Sequence, residues 1–379
     1  MITKNENLQF RMMYAVGIVL VVASHCGCGG INAANNWFLW TSFFMELFFF
    51  CSGYFYKDES ADDIYIYIYI YIYTKIVKLA LPCVIYNLIY GIIIIVLHSA
   101  GFSIGGEFNL FNVIVTPFTY GSAFLLNCPD WFVGQLFFVE IINVILRKCI
   151  RGKEKVFDIA VCVILIAISC INIYISRNYM VNEYLLLLFR TIYCMSWYEI
   201  GKLYHARIEK FDQINNEIYF TAVFLIQLML LVLNQGNIGG SVVRFNFREI
   251  YIVCVYLSAM TGIAFWLRIC RILAPICMKS RFLLYLSRHT FVILENHIMA
   301  FFVVNSVMCG IKEKISGMIL FDEERYHAEY LYRAALVSGD ERFNIIYLLA
   351  GIIMPLVLLA IWENVKNRLV NHKSIVLGG

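Results

Sequence analysis

Residues 12–25 read Met12-Met-Tyr-Ala-Val-Gly-Ile-Val-Leu-Val-Val-Ala-Ser-His25, an apolar run that ends on an imidazole. With its flanks the run extends over 10–26, long enough to cross lipid as a helix, the form in which a spanning segment satisfies its own backbone hydrogen bonds. Similar runs recur to the end of the chain. Of the 379 residues 61% are hydrophobic and only 15% charged, well below the roughly 25% charge of soluble domains. The fold class is therefore an all-α polytopic membrane protein. Ten spans are expected, at 10–26, 36–56, 78–98, 131–148, 156–176, 183–204, 217–234, 250–268, 282–305 and 344–365. No linker or charge block divides residues 1–379, so one membrane domain is expected.

Orientation follows from Lys and Arg. Most of the 30 basic residues fall in alternate loops, among them Lys57, Lys75, Lys78, Arg147, Lys153, Lys202, Arg268 and Lys279. By the positive-inside rule those loops are cytoplasmic, and an even number of spans puts both termini there. The net charge of +4 reflects these anchors and points to no nucleic-acid partner. The first span is expected to be an uncleaved anchor, since His25 stands where a cleavage or lipidation signal needs a small residue. The 13 cysteines show no paired spacing. They read as small apolar fillers, and no metal site is expected.

Two outer stretches stand apart. Segment 99–130 lacks Lys and Arg and is expected to fold back on the bundle or re-enter it. Loop 306–343 is polar, with a short interfacial helix expected in its middle, and serves either as a solvated cap or in acceptor binding. Residues 64–73 repeat Ile-Tyr five times. Both faces of that repeat are apolar, so its periodicity leaves the conformation open. ATA and TAT codons there would form an uninterrupted TA tract, whose slippage would switch the reading frame.

An ionisable group at membrane depth is costly and marks a site. His25 and His297 each lie about 15 residues from the inner end of a span, or ~22 Å, and Glu46 lies ~15 Å from the outer end of its own. Similar depth allows the two imidazoles to meet, with Glu46 orienting His25 as an acid orients a catalytic histidine. The alternative for all three is helix-to-helix hydrogen bonding. Glu140, Asn143, Arg190, Glu199, Arg288, His289, Glu295 and Asn296 are read mainly as such bonding groups. Lys75 and Lys78 stand one turn apart at the inner surface, suited to phosphates or to anchoring.

Five blocks together resemble the acyltransferase-3 family of membrane-bound acyltransferases, and within it the branch similar to fucose 4-O-acetylases. They are Gly17–His25, Glu46-Leu-Phe-Phe-Phe-Cys-Ser-Gly53-Tyr, Lys75-Ile-Val-Lys78-Leu-Ala-Leu-Pro82, Trp131-Phe-Val-Gly-Gln-Leu-Phe137 and Leu286-Ser-Arg-His-Thr290 through His297. The resemblance implies transfer of an acyl group, acetyl in the first instance, from cytoplasmic acyl-CoA to a sugar hydroxyl. The acceptor would be a surface polysaccharide or its lipid-linked precursor, and the membrane a bacterial inner membrane. His25 would be the base, supported by Glu46 and assisted by His297. Lys75, Lys78 and Arg11 would hold CoA phosphates, and Trp131 would form a sugar-stacking wall. One position departs: Tyr14 stands where the family usually carries a basic residue eleven before the histidine. Competing classes are a transporter or flippase of glycan precursors, with the histidines as a proton relay, and a polymerase using Arg325 and Arg333 of the outer loop.

Overall fold

The computed structural model describes residues 7–28, 37–57, 64–119, 121, 123–149, 154–339 and 341–377. In chain order its helices are α1 (Leu8–His25), α2 (Phe44–Tyr54), α3 (Ile64–Lys75), α4 (Leu81–Ser99), α5 (Leu110–Ile114), α6 (Thr116–Thr119), α7 (Trp131–Cys149) and α8 (Glu154–Asn178). There follow α9 (Glu183–Leu203), α10 (Asn216–Leu233), α11 (Ile252–Cys277), α12 (Arg281–Arg288), α13 (Thr290–Ile315), α14 (Glu323–Ala328) and α15 (Asn344–Leu377). Among the described residues, strand is confined to two small antiparallel pairs, β1 (Gly240–Ser241) with β2 (Asn246–Phe247) and β3 (Ile319–Leu320) with β4 (Ala335–Leu336).

Helix occupies at least part of each expected span. Among the described residues, eight helices are long and apolar enough to cross a membrane. The other two are α2, with 11 residues, and α9, which carries Arg190 and Glu199 inside the bundle. These two pack most intimately against each other. A Cβ at Gly53 would collide with the Tyr198 carbonyl, and one at Gly201 with the Phe50 carbonyl. Small residues facing each other in this way let two helix backbones touch inside lipid, where close packing drives association.

The Ile-Tyr repeat is helical. It forms α3, which continues through a π-helical segment at Ile76–Ala80 into α4 as one 36-residue rod. At 1.5 Å per residue the rod is ~54 Å long, well beyond a ~30 Å hydrocarbon core. A two-residue repeat on a helix separates into two sets. Tyr65, Tyr69 and Tyr73 face outward, while Tyr67 and Tyr71 turn toward the bundle, each set stacking at a spacing of four. Pro82 lies just past the π-helical turn. A proline cannot donate to the preceding turn, and such insertions are commonly found at functional sites.

One expected span is corrected. Residues 282–305 do not form a single helix, because the chain breaks at His289 between α12 and α13. The polar outer loop likewise starts later than residue 306, since α13 runs on to Ile315. Its middle carries α14, as its composition suggested. Segment 99–130 does fold back: Ile104, Phe124 and Leu126 are buried, and the Ser103 amide donates to the His327 carbonyl of α14's end at 2.8 Å. The two outer segments thus form one cap.

Candidate active site

Helix α1 carries the first histidine to a defined end. Asn7 caps its start by accepting the Phe10 amide at 3.3 Å. The Cys28 amide returns to the Ala23 carbonyl at 3.1 Å around Gly27, whose φ is +70°. This is the Schellman closure that glycine permits, and it fixes His25 on the last turn. On α13 the second histidine, His297, is fully buried. Gly351 of α15 makes room for it: a Cβ there would lie 2.8 Å from Val22 and Phe301 and 3.3 Å from the His297 side chain. Helices α1, α13 and α15 meet at this point.

The two imidazoles touch. His297 Nε2 lies 3.3 Å from His25 Nδ1, with ring centroids 5.0 Å apart. His25 Nδ1 also lies 2.9 Å from the Val21 carbonyl, and His297 Nδ1 lies 3.0 Å from the Ile293 carbonyl. Carbonyl oxygens only accept, so in the neutral pair each Nδ1 carries the hydrogen. His297 Nε2 then offers a lone pair to His25 Nδ1–H. His25 Nε2 is left with its own lone pair, and among the described residues nothing hydrogen-bonds it. In that tautomer Nε2 is the nitrogen of the pair left able to accept a proton.

Glu46 is not its partner. The carboxylate is 2% exposed and accepts the Tyr193 hydroxyl of α9 at 2.8 Å. Depth arithmetic put Glu46 and His25 at compatible heights, but the α2 face bearing Glu46 is the one pressed on α9. The expected Glu46–His25 pair is therefore corrected to Glu46–Tyr193. Glu295 turns away from His297, as two residues on a helix must, and faces Asp130.

Two cavities lead toward the histidines from the end of the bundle that carries Lys57 and Lys75. The first, about 650 Å³, is a vestibule lined by Lys57, Tyr71, Lys75, Glu140, Ser52 and Tyr14, among others. Lys75 pairs with Glu140 at 2.5 Å and lies over the Tyr71 ring, and Tyr71 donates to the same carboxylate. The second cavity, about 160 Å³, shares Tyr14 and Ser52 with the first and is, Thr290 apart, otherwise apolar, walled by Ile18, Phe48, Phe132, Leu136 and others. It closes at Val21 and Leu294, one helical turn short of His25 and His297. Tyr14, the departure from the family pattern, therefore stands at the junction of vestibule and tunnel.

The other expected residues fall as follows. Lys78 is exposed and outside the vestibule, because the π-helical turn rotates it away from Lys75. Arg11 is half-buried one turn below Tyr14 and does not line either cavity. Trp131 opens α7 beside Gly121, and its neighbour Phe132 forms the tunnel wall instead, against Phe48 and Phe49 at 5.5 and 5.0 Å. Sequence reasoning missed three contributors. Lys57 and Glu140 sit at heights that depth arithmetic allows, but nothing in the sequence links them to Lys75. Arg333 of the cap donates Nη1–H to the His25 carbonyl at 3.0 Å, and no spacing rule connects it to α1.

Fold and site together define a multi-pass membrane protein with an internal imidazole pair and, one helical turn short of it, a largely apolar cavity that adjoins a vestibule lined by Lys57, Lys75 and Glu140. The acyltransferase-3 family model, an acyltransferase domain, matches residues 10–362. The chain belongs to that family, and its class of activity is membrane acyl transfer. No curated protein and no solved structure gives a significant match.

Proposed function

We propose that the chain is a membrane O-acyltransferase that takes acetyl from acyl-CoA on the cytoplasmic side. The acceptor is a sugar hydroxyl of a surface polysaccharide or its lipid-linked precursor, and the membrane is a bacterial inner membrane. The observation that carries this reading is the succession of a vestibule at Lys57 and Lys75 and an adjoining cavity that shares Tyr14 and Ser52 with it and ends at Val21 and Leu294, one helical turn from the His25–His297 pair. A nucleotide-bearing thioester needs those parts in that order: cations for phosphates, then an apolar bore for the pantetheine arm, then a base. Lysines are suited to phosphate as point charges.

In this mechanism Lys57 and Lys75 hold the CoA phosphates at the vestibule, with Arg11 below it and Lys78 outside it. The thioester carbonyl reaches the tunnel's closed end. His25 Nε2 takes the proton of the acceptor hydroxyl, and its oxygen attacks the carbonyl. His297 Nε2 accepts from His25 Nδ1–H and spreads the charge that His25 gains. Collapse of the adduct breaks the C–S bond, and His25 returns the proton to the CoA sulfur. Glu46 supports α2 against α9 rather than the imidazole.

The test uses membranes from the producing cell, which hold its own acceptor, and radiolabelled acetyl-CoA. Label should enter a glycan or glycolipid fraction with wild type and not with His25→Ala at equal protein level. Incorporation that persisted in His25→Ala would sink the mechanism. Mass spectrometry of the surface glycan from a deletion strain gives a second reading. Loss of one acyl mass supports transfer, while loss of the whole chain would support transport or polymerisation.

A further inference from the structure

We propose that Arg333 is a further catalytic residue, supplied from the outer cap, which holds the oxyanion formed on the thioester carbonyl. The proposal rests on the acyl-transfer reading above. Its first support is placement. The guanidinium reaches the C-terminal end of α1, bonds the His25 carbonyl at 3.0 Å and packs against Gly27, where a Cβ would come within 2.9 Å of Nη1. Gly27 thus serves two ends: it closes α1 and leaves room for the guanidinium against the helix end that carries His25.

The second support is how firmly the cap holds this residue. The carbonyl before it, on Tyr332, accepts from Asn305 Nδ2 at 2.7 Å. The amide after it, on Ala334, donates to the Tyr347 hydroxyl at 2.9 Å, and that hydroxyl donates to Asn305 Oδ1 at 2.6 Å. Asn305 is on α13, four residues past Phe301, and Tyr347 is on α15. The same two helices that set His297 therefore clamp the peptide on both sides of Arg333. The Tyr332 hydroxyl adds a bond to the Asp322 amide at 2.6 Å. A solvated loop needs none of this.

The third support is unused capacity. A guanidinium has five N–H donors, and the described residues occupy one of them. The side chain is half-buried, and among the described residues no carboxylate pairs with it. The step at His25 creates a matching need. As the acceptor oxygen bonds to the carbonyl carbon, the C=O electron pair moves onto oxygen, while the hydroxyl proton moves to His25 Nε2. The new alkoxide needs a donor fixed in advance. Charge is restored when the C–S bond breaks, the C=O re-forms and the proton passes from His25 to the sulfur.

A plain structural role for Arg333 is to cap α1 through the helix dipole, and the experiment separates the two. Initial rates are measured in the same membranes against acetyl-CoA, with thermal stability of the purified chain alongside. Arg333→Gln should lower the maximal rate per protein by about 10²–10³-fold with the acetyl-CoA KM and the melting temperature little changed. Arg333→Lys should recover part of the loss, and added guanidinium should partly rescue Arg333→Ala. An unchanged rate in Arg333→Gln, a rise confined to KM, or a rate loss that tracks lost stability without rescue would overturn the proposal. If wild-type membranes transfer no label at all, the acyl-transfer reading itself falls. A silent Arg333→Gln beside an active wild type removes only the role of Arg333.

Discussion

The difference between His25 and Glu46 lies in what each is bonded to. His25 keeps one ring nitrogen bare while its other nitrogen is held by Val21 and His297. Glu46 accepts the Tyr193 hydroxyl on Oε1, and its Oε2 is buried with no hydrogen-bond partner among the described residues. Glu46→Gln should therefore cost stability, about 1–3 kcal/mol for disturbing a buried polar contact, and leave the turnover of folded protein within a few-fold of wild type. A catalytic loss of a hundredfold at unchanged stability would restore Glu46 to the base. His297→Ala should lower turnover and keep some of it, whereas His25→Ala should abolish it, because His25 Nε2 is the proposed base and His297 only supports it. Parallel rates for the two variants in the labelled acetyl-CoA assay would contradict that division.

Among the elements, α3 and the close pair α2–α9 decide most. Lys75 and Lys78 look equivalent one turn apart, but the π-helical turn at Ile76–Ala80 sends Lys75 into the vestibule and Lys78 out of it. Lys75→Glu should raise the acetyl-CoA KM clearly more than Lys78→Glu; equal shifts would refute the vestibule as the donor's entrance. Gly53→Leu drives a side chain into the Tyr198 carbonyl. Overpacking of this kind costs about 1–3 kcal/mol or more, so the variant should accumulate poorly in membranes and melt early. The element scale also shows what the sequence could and could not tell. Helical rise puts His25 and His297 at similar depth and the two meet, although the span along which that rise is counted breaks at His289, so His297 lies only seven residues into α13. The rotation of α2 did not follow from it, because rise constrains depth and leaves azimuth free. The Ile-Tyr repeat was silent for a related reason: with both faces apolar it has no polar stripe, and the conformation is set by the backbone's need for internal hydrogen bonds in lipid. The break at His289 carries no Gly or Pro signal at all. Arg333 was visible as a loop cation, but its destination depends on Asn305 and Tyr347, which only tertiary structure brings to it.

Over the whole molecule, the cap and the vestibule lie at opposite ends of α1. Arg333 meets its C-terminal carbonyl, and Tyr14 lines the cavities nearer its start. On the proposed reading, donor and acceptor arrive by separate doors. Reporter fusions should place residues 57 and 215 on one side of the membrane and the α14 region on the other; the same side for 57 and 327 would reject the arrangement. The apolar tunnel then has a kinetic meaning. It admits the donor from the Lys57 end and leaves the cap end to the acceptor. Neither substrate has to leave before the other enters, so double-reciprocal plots should intersect, with no obligatory order and no ping-pong pattern. Spent CoA must back out the way it came, past Tyr14. That retreat is the step most exposed to product inhibition, and free CoA should compete with acetyl-CoA while leaving acceptor binding untouched.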